Sequence, residues 1–238
     1  MKNTIIRIVL IIFFSILIIY GGYNCIKWYK DIKRNDTVRE KVINKKVVPE
    51  DVYKDDIDFK TLKNQNSDTV AYIEVKNTNI KNVVVKGTDN DYYLTHNFLK
   101  EENIAGWLFA DYRNKFDGTD KNIIIYGHNM MEGSNFGSLK NTMNSDWYTN
   151  KDNLLISLIT DKDKMKYKVF SIYKKEAEDY YIQTSFIDDK EYLEFLNVLS
   201  SRSIYKFDTE LDNSSILTLS TCGENDNERV VLHAIKIN

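Results

Sequence analysis

The segment SILTLSTCGENDNERVVLHAIKI, residues 215–237, has the pattern of two β-strands joined by a polar loop. A run of apolar and β-branched residues leads into Cys222, and a second run of this kind begins at Arg229. Such runs, bounded by turn-forming residues, are typical of neighbouring strands. The pattern predicts a hairpin with a thiol at its mouth and an arginine at the start of its return strand.

Further runs with the strand pattern precede this hairpin. They are residues 69–75, 80–87, 105–110, 122–127, 153–160 and 166–174. Together with 215–221 and 229–237 they predict a mainly β fold, an eight-stranded barrel that is closed or nearly closed. The predicted helices are 56–66, 89–95, 135–143 and 188–201. The last of these starts behind an aspartate and has an apolar stripe, so we expect it to lie against the barrel.

Composition excludes several classes of function. The chain has 238 residues, of which 42% are hydrophobic and 29% charged, enough for one globular domain with an appendage. The net charge is -2, and there is no zinc-finger, RNP or basic-zipper pattern, so no nucleic-acid partner is expected. P-loop, G-x-G-x-x-G, G-x-S-x-G and H-E-x-x-H motifs are absent from the sequence. We therefore expect no cofactor and no metal site.

The N-terminus predicts a membrane anchor. Residues from Ile8 to Ile26 include no charged side chain, and as a helix this run would span about 28 Å, close to the ~30 Å core of a bilayer. A cleaved signal peptide would have a shorter apolar core and an A-x-A-like site. A lipidated Cys25 would need small residues where Tyr23-Asn24 stand. We expect an anchor over 1–26, a charged juxtamembrane stalk over 27–56 and a folded domain over 57–238. Basic residues flank both ends of the run, so the residues alone leave its orientation open.

The thiol of Cys222 has two interpretations. Buried cysteines are often only small hydrophobic residues, and the chain has too few cysteines for a disulfide framework. However, Cys222 stands at the polar end of a strand, beside Gly223, where a thiol is partly exposed and can react. A catalytic cysteine must become a thiolate, and it commonly uses a nearby histidine for proton transfer.

Of the three histidines, His128 is the candidate partner. It follows the buried run NIIIYG directly, and a rigid strand end is how a scaffold presents a site residue. We expect His96 to have a surface or capping role and His233 to be packed and hydrogen-bonded inside the last strand. Arg229 also has two interpretations. It is either solvated or salt-bridged to the acidic loop 224–228, or it faces Cys222 and donates hydrogen bonds to an oxyanion.

These residues together resemble the sortase family, and most closely class B. The T-L-x-T-C signature of the family stands here as TLSTC, residues 218–222. Class B character shows in DNDYYLTHNF (89–98), in FADYRNKFDGTDKNIIIYGHNM (109–130) with GSNFGSL after it, and in the helix at 188–201. The resemblance covers roughly residues 56–238.

The resemblance implies a single-pass membrane enzyme with its sortase-type barrel outside a Gram-positive cell. Such an enzyme cleaves a C-terminal sorting motif of surface proteins after Thr and passes the acyl group to a peptidoglycan amine. Cys222 would be the nucleophile that carries the thioacyl intermediate, His128 the general acid and base, and Arg229 the oxyanion and substrate clamp. Thr221 and Ser220 would lie beside the substrate.

The sequence leaves the sorting motif open between NPxTN-like and LPxTG- or SPxTG-like. Two alternatives to a transpeptidase also stay open. One is a thiol endopeptidase that releases the acyl group to water, and the other is an inactive membrane-tethered peptide-binding module on the same barrel.

Overall fold

Eight strands form a closed barrel in this computed structural model, in the order β1-β2-β3-β4-β7-β8-β6-β5. The structure describes residues 2–44, 46–52, 56–176, 178, 180–222 and 228–237, and only the backbone of residues 2, 3 and 222. The strands are β1 (Thr69–Val75), β2 (Lys81–Val85), β3 (Phe109–Ala110), β4 (Asn122–Gly127), β5 (Leu155–Ile159), β6 (Lys164–Glu176), β7 (Ile216–Cys222) and β8 (Glu228–Lys236). The prediction of an eight-stranded barrel is confirmed.

The helices are α1 (Lys2–Val42), α2 (Phe59–Gln65), α3 (Ser145–Tyr148) and α4 (Asp189–Ser201). Short 3-10 turns occupy Tyr92–Leu94, Leu139–Met143, Lys151–Leu154 and Tyr180–Ile182. The long helix predicted at 188–201 is confirmed as α4, and the Asp188 side chain caps it by accepting a hydrogen bond from the Glu191 backbone N–H. The helices predicted at 89–95 and 135–143 are only 3-10 turns.

The strand predicted at 105–110 is wrong over its first four residues. Gly106 has φ +56, and a Cβ there would lie 2.4 Å from the Tyr93 carbonyl oxygen. Trp107 is buried in the layer outside the barrel, and its Nε1–H donates to the Val83 carbonyl at 2.8 Å. Leu108 belongs to the interior core, so the run packs on both sides of the sheet, and only Phe109 and Ala110 form a strand.

The alternation of side chains separates the barrel interior from its outer face. On β4, β7 and β8 the interior core receives Ile123, Ile125, Leu217, Leu219, Leu232 and Ala234. The alternate positions on the same strands are on the outer face. They include polar residues, which are Asn122, Tyr126, Thr218, Ser220 and His233.

Two layers cover the outer face. The first packs α2, the end of α1 and residues 93–107 against β1, β2 and β3. The second packs α4 and the β6–β7 connection against β6, β7 and β8. The two layers leave a gap at the end of β4, and the candidate site lies in this gap.

Helix α1 has two parts. Residues 4–30 are all exposed, and the helix is long and apolar enough to cross a membrane by length and composition. From Ile32 onward one face is buried, through Ile32, Asn35, Val38 and Val42. Asn35 Nδ2 donates to the Gly106 carbonyl at 3.2 Å. The predicted division of the chain at residues 26 and 56 stays a prediction, and the expected stalk packs on the folded domain through buried residues that begin at Ile32.

Candidate active site

A pocket of ≈ 310 Å³ opens in the gap between the two outer layers. Its lining residues come from the ends of β4, β7 and β8 and from both layers. They are Asn90, Leu94, Phe109, Tyr126, Gly127, His128, Glu178, Tyr181, Ile182, Ser220, Thr221 and Arg229. The pocket thus brings together His128, Ser220, Thr221 and Arg229, four of the predicted site residues. The side chain of Cys222 lies outside the part of the chain that the structure describes.

Strand register places the predicted catalytic residues in one row. β4 and β7 are parallel, with Gly127 opposite Thr221, and β7 and β8 are antiparallel, with Cys222 opposite Arg229. His128 comes directly after Gly127, so the next step of the same register lies beside residue 222. Residues opposite one another in a sheet share a face. Positions 128, 222 and 229 therefore fall side by side on one face at the end of three neighbouring strands.

Gly127 is required before His128 by close packing. A Cβ at this position would lie 2.3 Å from Leu108 Cδ2 and 3.1 Å from Phe136 Cγ. The strand end can therefore sit deep between these two buried side chains only because residue 127 has no side chain of its own. This places the backbone of His128 at the floor of the pocket.

The His128 imidazole is half-buried, and its Nε2 lies 2.8 Å from the Leu94 carbonyl oxygen. A carbonyl oxygen can only accept, so this hydrogen bond needs the proton on Nε2. In the neutral ring Nδ1 is then the unprotonated, basic nitrogen. The Leu94 carbonyl thus fixes both the ring orientation and the tautomer.

Arg229 is half-buried and lines the pocket. Its acidic sequence neighbour Glu228 forms an ion pair of 2.8 Å with Lys174 on β6. Glu224 and Asp226, the other carboxylates considered for Arg229, lie outside the described residues. The structure places Arg229 opposite Cys222 in the strand register, as the hairpin pattern predicted.

The hydroxyl groups of Ser220 and Thr221 contact the protein. Thr221 Oγ1 donates to the Gly127 carbonyl at 2.5 Å, and Ser220 Oγ lies 3.0 Å from the Tyr181 hydroxyl. Both residues are buried and line the pocket. Each hydroxyl braces a side of the pocket, and direct contact of these residues with a substrate stays a prediction.

Sequence reasoning missed a buried cluster beside the pocket. Asp111 is fully buried and accepts from Arg113 Nε and Nη2, both at 2.7 Å, and from the Tyr126 hydroxyl at 2.9 Å. Burial acts to raise the pKa of Asp111, but the hydrogen bonds from Arg113 outweigh it and hold this pKa below its usual value. Arg113 also donates to the Ile182 carbonyl at 3.0 Å. The alternation of aspartate and arginine in the segment DYR was the one signal of this cluster.

The two other histidines have the predicted structural roles. His96 is half-buried near the surface, stacks on Tyr92 at 4.0 Å between ring centroids and bonds the Tyr92 carbonyl through Nδ1. His233 is fully buried, and burial lowers its pKa to about 3. Among the residues that the structure describes, no group of His, Cys, Asp or Glu is arranged to hold a metal ion.

Comparisons with known proteins identify relatives of this chain. A family model described as a sortase domain matches residues 73–237. Sortase B of Listeria monocytogenes serovar 1/2a is 33% identical over 174 residues, 72% of this chain and 70% of the relative. A Staphylococcus aureus sortase B–substrate complex superposes with a TM-score of 0.80 at 28% identity, covering 88% of this chain and 99% of that chain. A sortase B complexed with triglycine superposes with a TM-score of 0.72 at 26% identity, covering 92% and 99%.

Proposed function

The chain belongs to the sortase family, class B, and we propose that this sortase-type transpeptidase is a membrane-anchored enzyme that attaches surface proteins to the cell wall. It cleaves a C-terminal sorting motif after Thr, holds the acyl group on Cys222 and transfers it to a peptidoglycan amine. The observation that carries the proposal is the row of positions 128, 222 and 229 at one strand end, beside a pocket.

In the acylation half-reaction, His128 Nδ1 takes the proton of the Cys222 thiol. The thiolate attacks the carbonyl carbon of the motif threonine, and the carbonyl electrons move to oxygen. The guanidinium of Arg229, which is always charged and offers a fixed fork of donors, stabilises this oxyanion. When the oxyanion collapses, the bond to the leaving amine breaks, and His128 returns its proton to that amine.

In the transfer half-reaction the roles reverse. The incoming amine attacks the thioester carbon and loses a proton to His128 Nδ1. The second oxyanion collapses with release of the Cys222 thiolate, which recovers its proton from His128. The fixed Nε2–H tautomer supports this assignment, because it leaves the same nitrogen basic in both half-reactions.

The form of the pocket supports a short extended peptide as substrate. Leu94, Phe109 and Ile182 give it apolar walls, and Asn90 and Tyr126 add polar groups at one side. A volume of ≈ 310 Å³ is at the small end for ligand sites and suits a few residues of a motif. The known complexes of similar proteins with a substrate and with triglycine support peptide and amine partners.

Helix α1 supports membrane anchoring. Every side chain from residue 4 to residue 30 is exposed, and the run without charge ends at Ile26. Exposed apolar surface of this extent is stable only in lipid. Because peptidoglycan lies outside the membrane, the reaction itself assigns the barrel to the outer side. Long domains can be translocated in spite of basic residues such as Lys27 and Lys30.

The test is intact-mass analysis of the full chain in detergent micelles, incubated with peptides that carry NPxTN, LPxTG or SPxTG motifs. We expect the mass of the acyl fragment on the wild-type protein and no adduct on Cys222→Ala. Addition of triglycine should discharge the adduct into a ligated product. Hydrolysis that triglycine does not divert would indicate an endopeptidase, and peptide binding without any adduct would indicate a binding module.

A further inference from the structure

A buried chain of hydrogen bonds runs beneath the α4 layer, in the middle of β7 and β8. Thr218 and His233 are opposite one another, with Thr218 Oγ1 and His233 Nδ1 2.9 Å apart. The other ring nitrogen, Nε2, lies 2.9 Å from the Tyr173 hydroxyl. Thr218 and His233 are fully buried and Tyr173 is nearly so. Both nitrogens of this imidazole are therefore bonded to protein.

The chain continues into β4 through Asn122. Thr218 Oγ1 lies 2.7 Å from Asn122 Oδ1. Asn122 Nδ2 lies 3.2 Å from the Tyr181 carbonyl oxygen and 2.9 Å from the Gln183 carbonyl oxygen. Asn122 is fully buried as well. We call Asn122, Thr218, His233 and Tyr173 the buried chain.

The direction of every bond in the buried chain follows from its last step. Two carbonyl oxygens can only accept, so the amide NH₂ of Asn122 must face them and its Oδ1 must face Thr218. The single hydroxyl proton of Thr218 then goes to Asn122. Thr218 can therefore only accept from His233, which must carry its proton on Nδ1. His233 and His128 are thus held in opposite tautomers.

The segment at the end of the buried chain is a wall of the pocket. Tyr181 and Ile182 line the pocket, and the carbonyls of residues 181, 182 and 183 are all bound by barrel side chains. Asn122 binds the first and third, and Arg113 binds the second. We call residues 181–183 the pocket wall. Its backbone lies outside β6 and α4: residues 181 and 182 belong to the 3-10 turn Tyr180–Ile182, and the three side-chain bonds tie this turn and Gln183 to the barrel.

We infer that Asn122, Thr218 and His233 are positioning residues that set the pocket wall and through it the affinity for the peptide substrate. The inference rests on the proposed function and assigns a task to the first threonine of the TLSTC segment. Thr218 acts on the pocket wall, whereas Thr221, three residues on, braces Gly127 next to His128. Two hydroxyl groups of β7 therefore have different tasks: Thr218 acts on substrate affinity, and Thr221 acts on proton transfer at His128.

The test uses a matched pair of variants of the full chain in detergent. Thr218→Val has nearly the shape of threonine but can neither donate to Asn122 nor accept from His233. Thr218→Ser keeps the hydroxyl. For Thr218→Val we expect KM for the cleaved peptide to rise roughly tenfold, with kcat within about threefold of wild type and an unchanged rate of Cys222 alkylation by iodoacetamide. For Thr218→Ser we expect KM within about twofold of the wild-type value.

Two measurements distinguish failure of this inference from a folding defect and from failure of the proposed function. Hydrogen exchange at the amides of residues 180–186 should accelerate in Thr218→Val and not in Thr218→Ser, whether or not any peptide is cleaved. ¹⁵N-histidine spectra of the wild-type protein should show His233 as the Nδ1–H tautomer. Detection of the Nε2–H tautomer would overturn the buried chain. An unchanged KM in folded Thr218→Val, or equal loss in both variants, would overturn the inference. A wild-type protein that cleaves no peptide would instead count against the proposed function.

Discussion

The outer face of the sheet formed by β4, β7 and β8 is used differently in a middle region and at one end. The middle region has Asn122, the first residue of β4, with Thr218 and His233 from inside β7 and β8. The end has His128, directly after β4, with Cys222 and Arg229. In the middle the α4 layer excludes water and the two ring nitrogens of His233 are bonded. At the end the cover stops at the pocket wall, and His128 uses Nε2 to bond Leu94.

The structural histidine His233 and the candidate catalytic histidine His128 differ in how many of their ring nitrogens are bonded to the protein. A buried polar group left unpaired costs on the order of 1–3 kcal/mol, so each bond lost in the middle region lowers the stability of the protein. Such a region holds its protons in place. At the strand end, one bond orients the ring, and the basic nitrogen is left to exchange a proton.

The largest effect is expected from loss of the imidazole at the strand end. His128→Ala should lower turnover of a quenched sorting-motif peptide by on the order of 10³–10⁴, because general acid–base catalysis contributes up to that much. The melting temperature should change little, since the ring is half-buried and makes one hydrogen bond. Turnover within tenfold of wild type would remove His128 from the proposed mechanism.

A smaller loss of turnover is expected when Arg229 is replaced by lysine, which keeps the positive charge but lacks the planar guanidinium. Arg229→Lys should reduce turnover by on the order of 10²–10³, the usual effect of removing one oxyanion donor. Alkylation of Cys222 and the thermal melt should stay unchanged. Arg39→Lys, at the ion pair with Asp36 on α1, is the matched control and should be silent. If both variants run within threefold of wild type, Arg229 is only a surface charge.

The protonation of His233, in the middle region, should affect the stability of the protein rather than the rate of the reaction. Burial lowers the pKa of His233 to about 3, so between pH 6.5 and that value the unfolded chain binds a proton that the native protein does not. The free energy of unfolding should therefore fall as pH falls, by about 1.4 kcal/mol per unit, or tenfold in the folding equilibrium. Denaturant titrations between pH 6.5 and 5 measure this slope above the range in which carboxylates titrate. His96→Gln should keep the slope, and a flat profile in wild type would contradict the buried, neutral state of His233.

The smallest effect should come from removing the exposed part of α1. A chain that starts at residue 27 should cleave peptide within about twofold of wild type, because residues 4–30 bury no side chain. A chain that starts at residue 44 should melt at least about 10 °C lower, since it loses the buried Ile32, Val38 and Val42. Equal melting temperatures for the two truncations would show that the second part of α1 does not stabilise the barrel.

The sequence predicted the parts of the structure that local patterns control. Strands 69–75 and 122–127 were predicted to the residue, because alternating or continuous apolar runs bounded by turns leave little choice of period. Positions 128, 222 and 229 could be predicted as a site because each stands where a strand begins or ends. The strand prediction at 105–110 failed because Gly106 has a positive φ and Trp107 is buried outside the barrel, which an apolar run alone does not reveal.

The buried chain could not be predicted in this way. Thr218 and Asn122 are 96 residues apart, and Asn122 and Tyr181 are 59 apart. No periodicity records such pairs, because they arise only when parallel strands β4 and β7 meet and a connection folds over them. The link from Arg113 to Ile182 is of the same kind, with 69 residues between the partners.

The continuity of α1 sets the height at which the enzyme works. The helix runs unbroken from Lys2 to Val42, and the barrel takes hold of it at Ile32, about 9 Å past the apolar run. A flexible linker of thirty residues would instead let the domain wander over roughly 30 Å. Under the proposed anchoring of its first part in a bilayer, the pocket would be confined to a thin shell above the membrane. The proposed surface-protein substrates would then be selected by the distance at which their sorting motif emerges from the membrane, in addition to the motif itself.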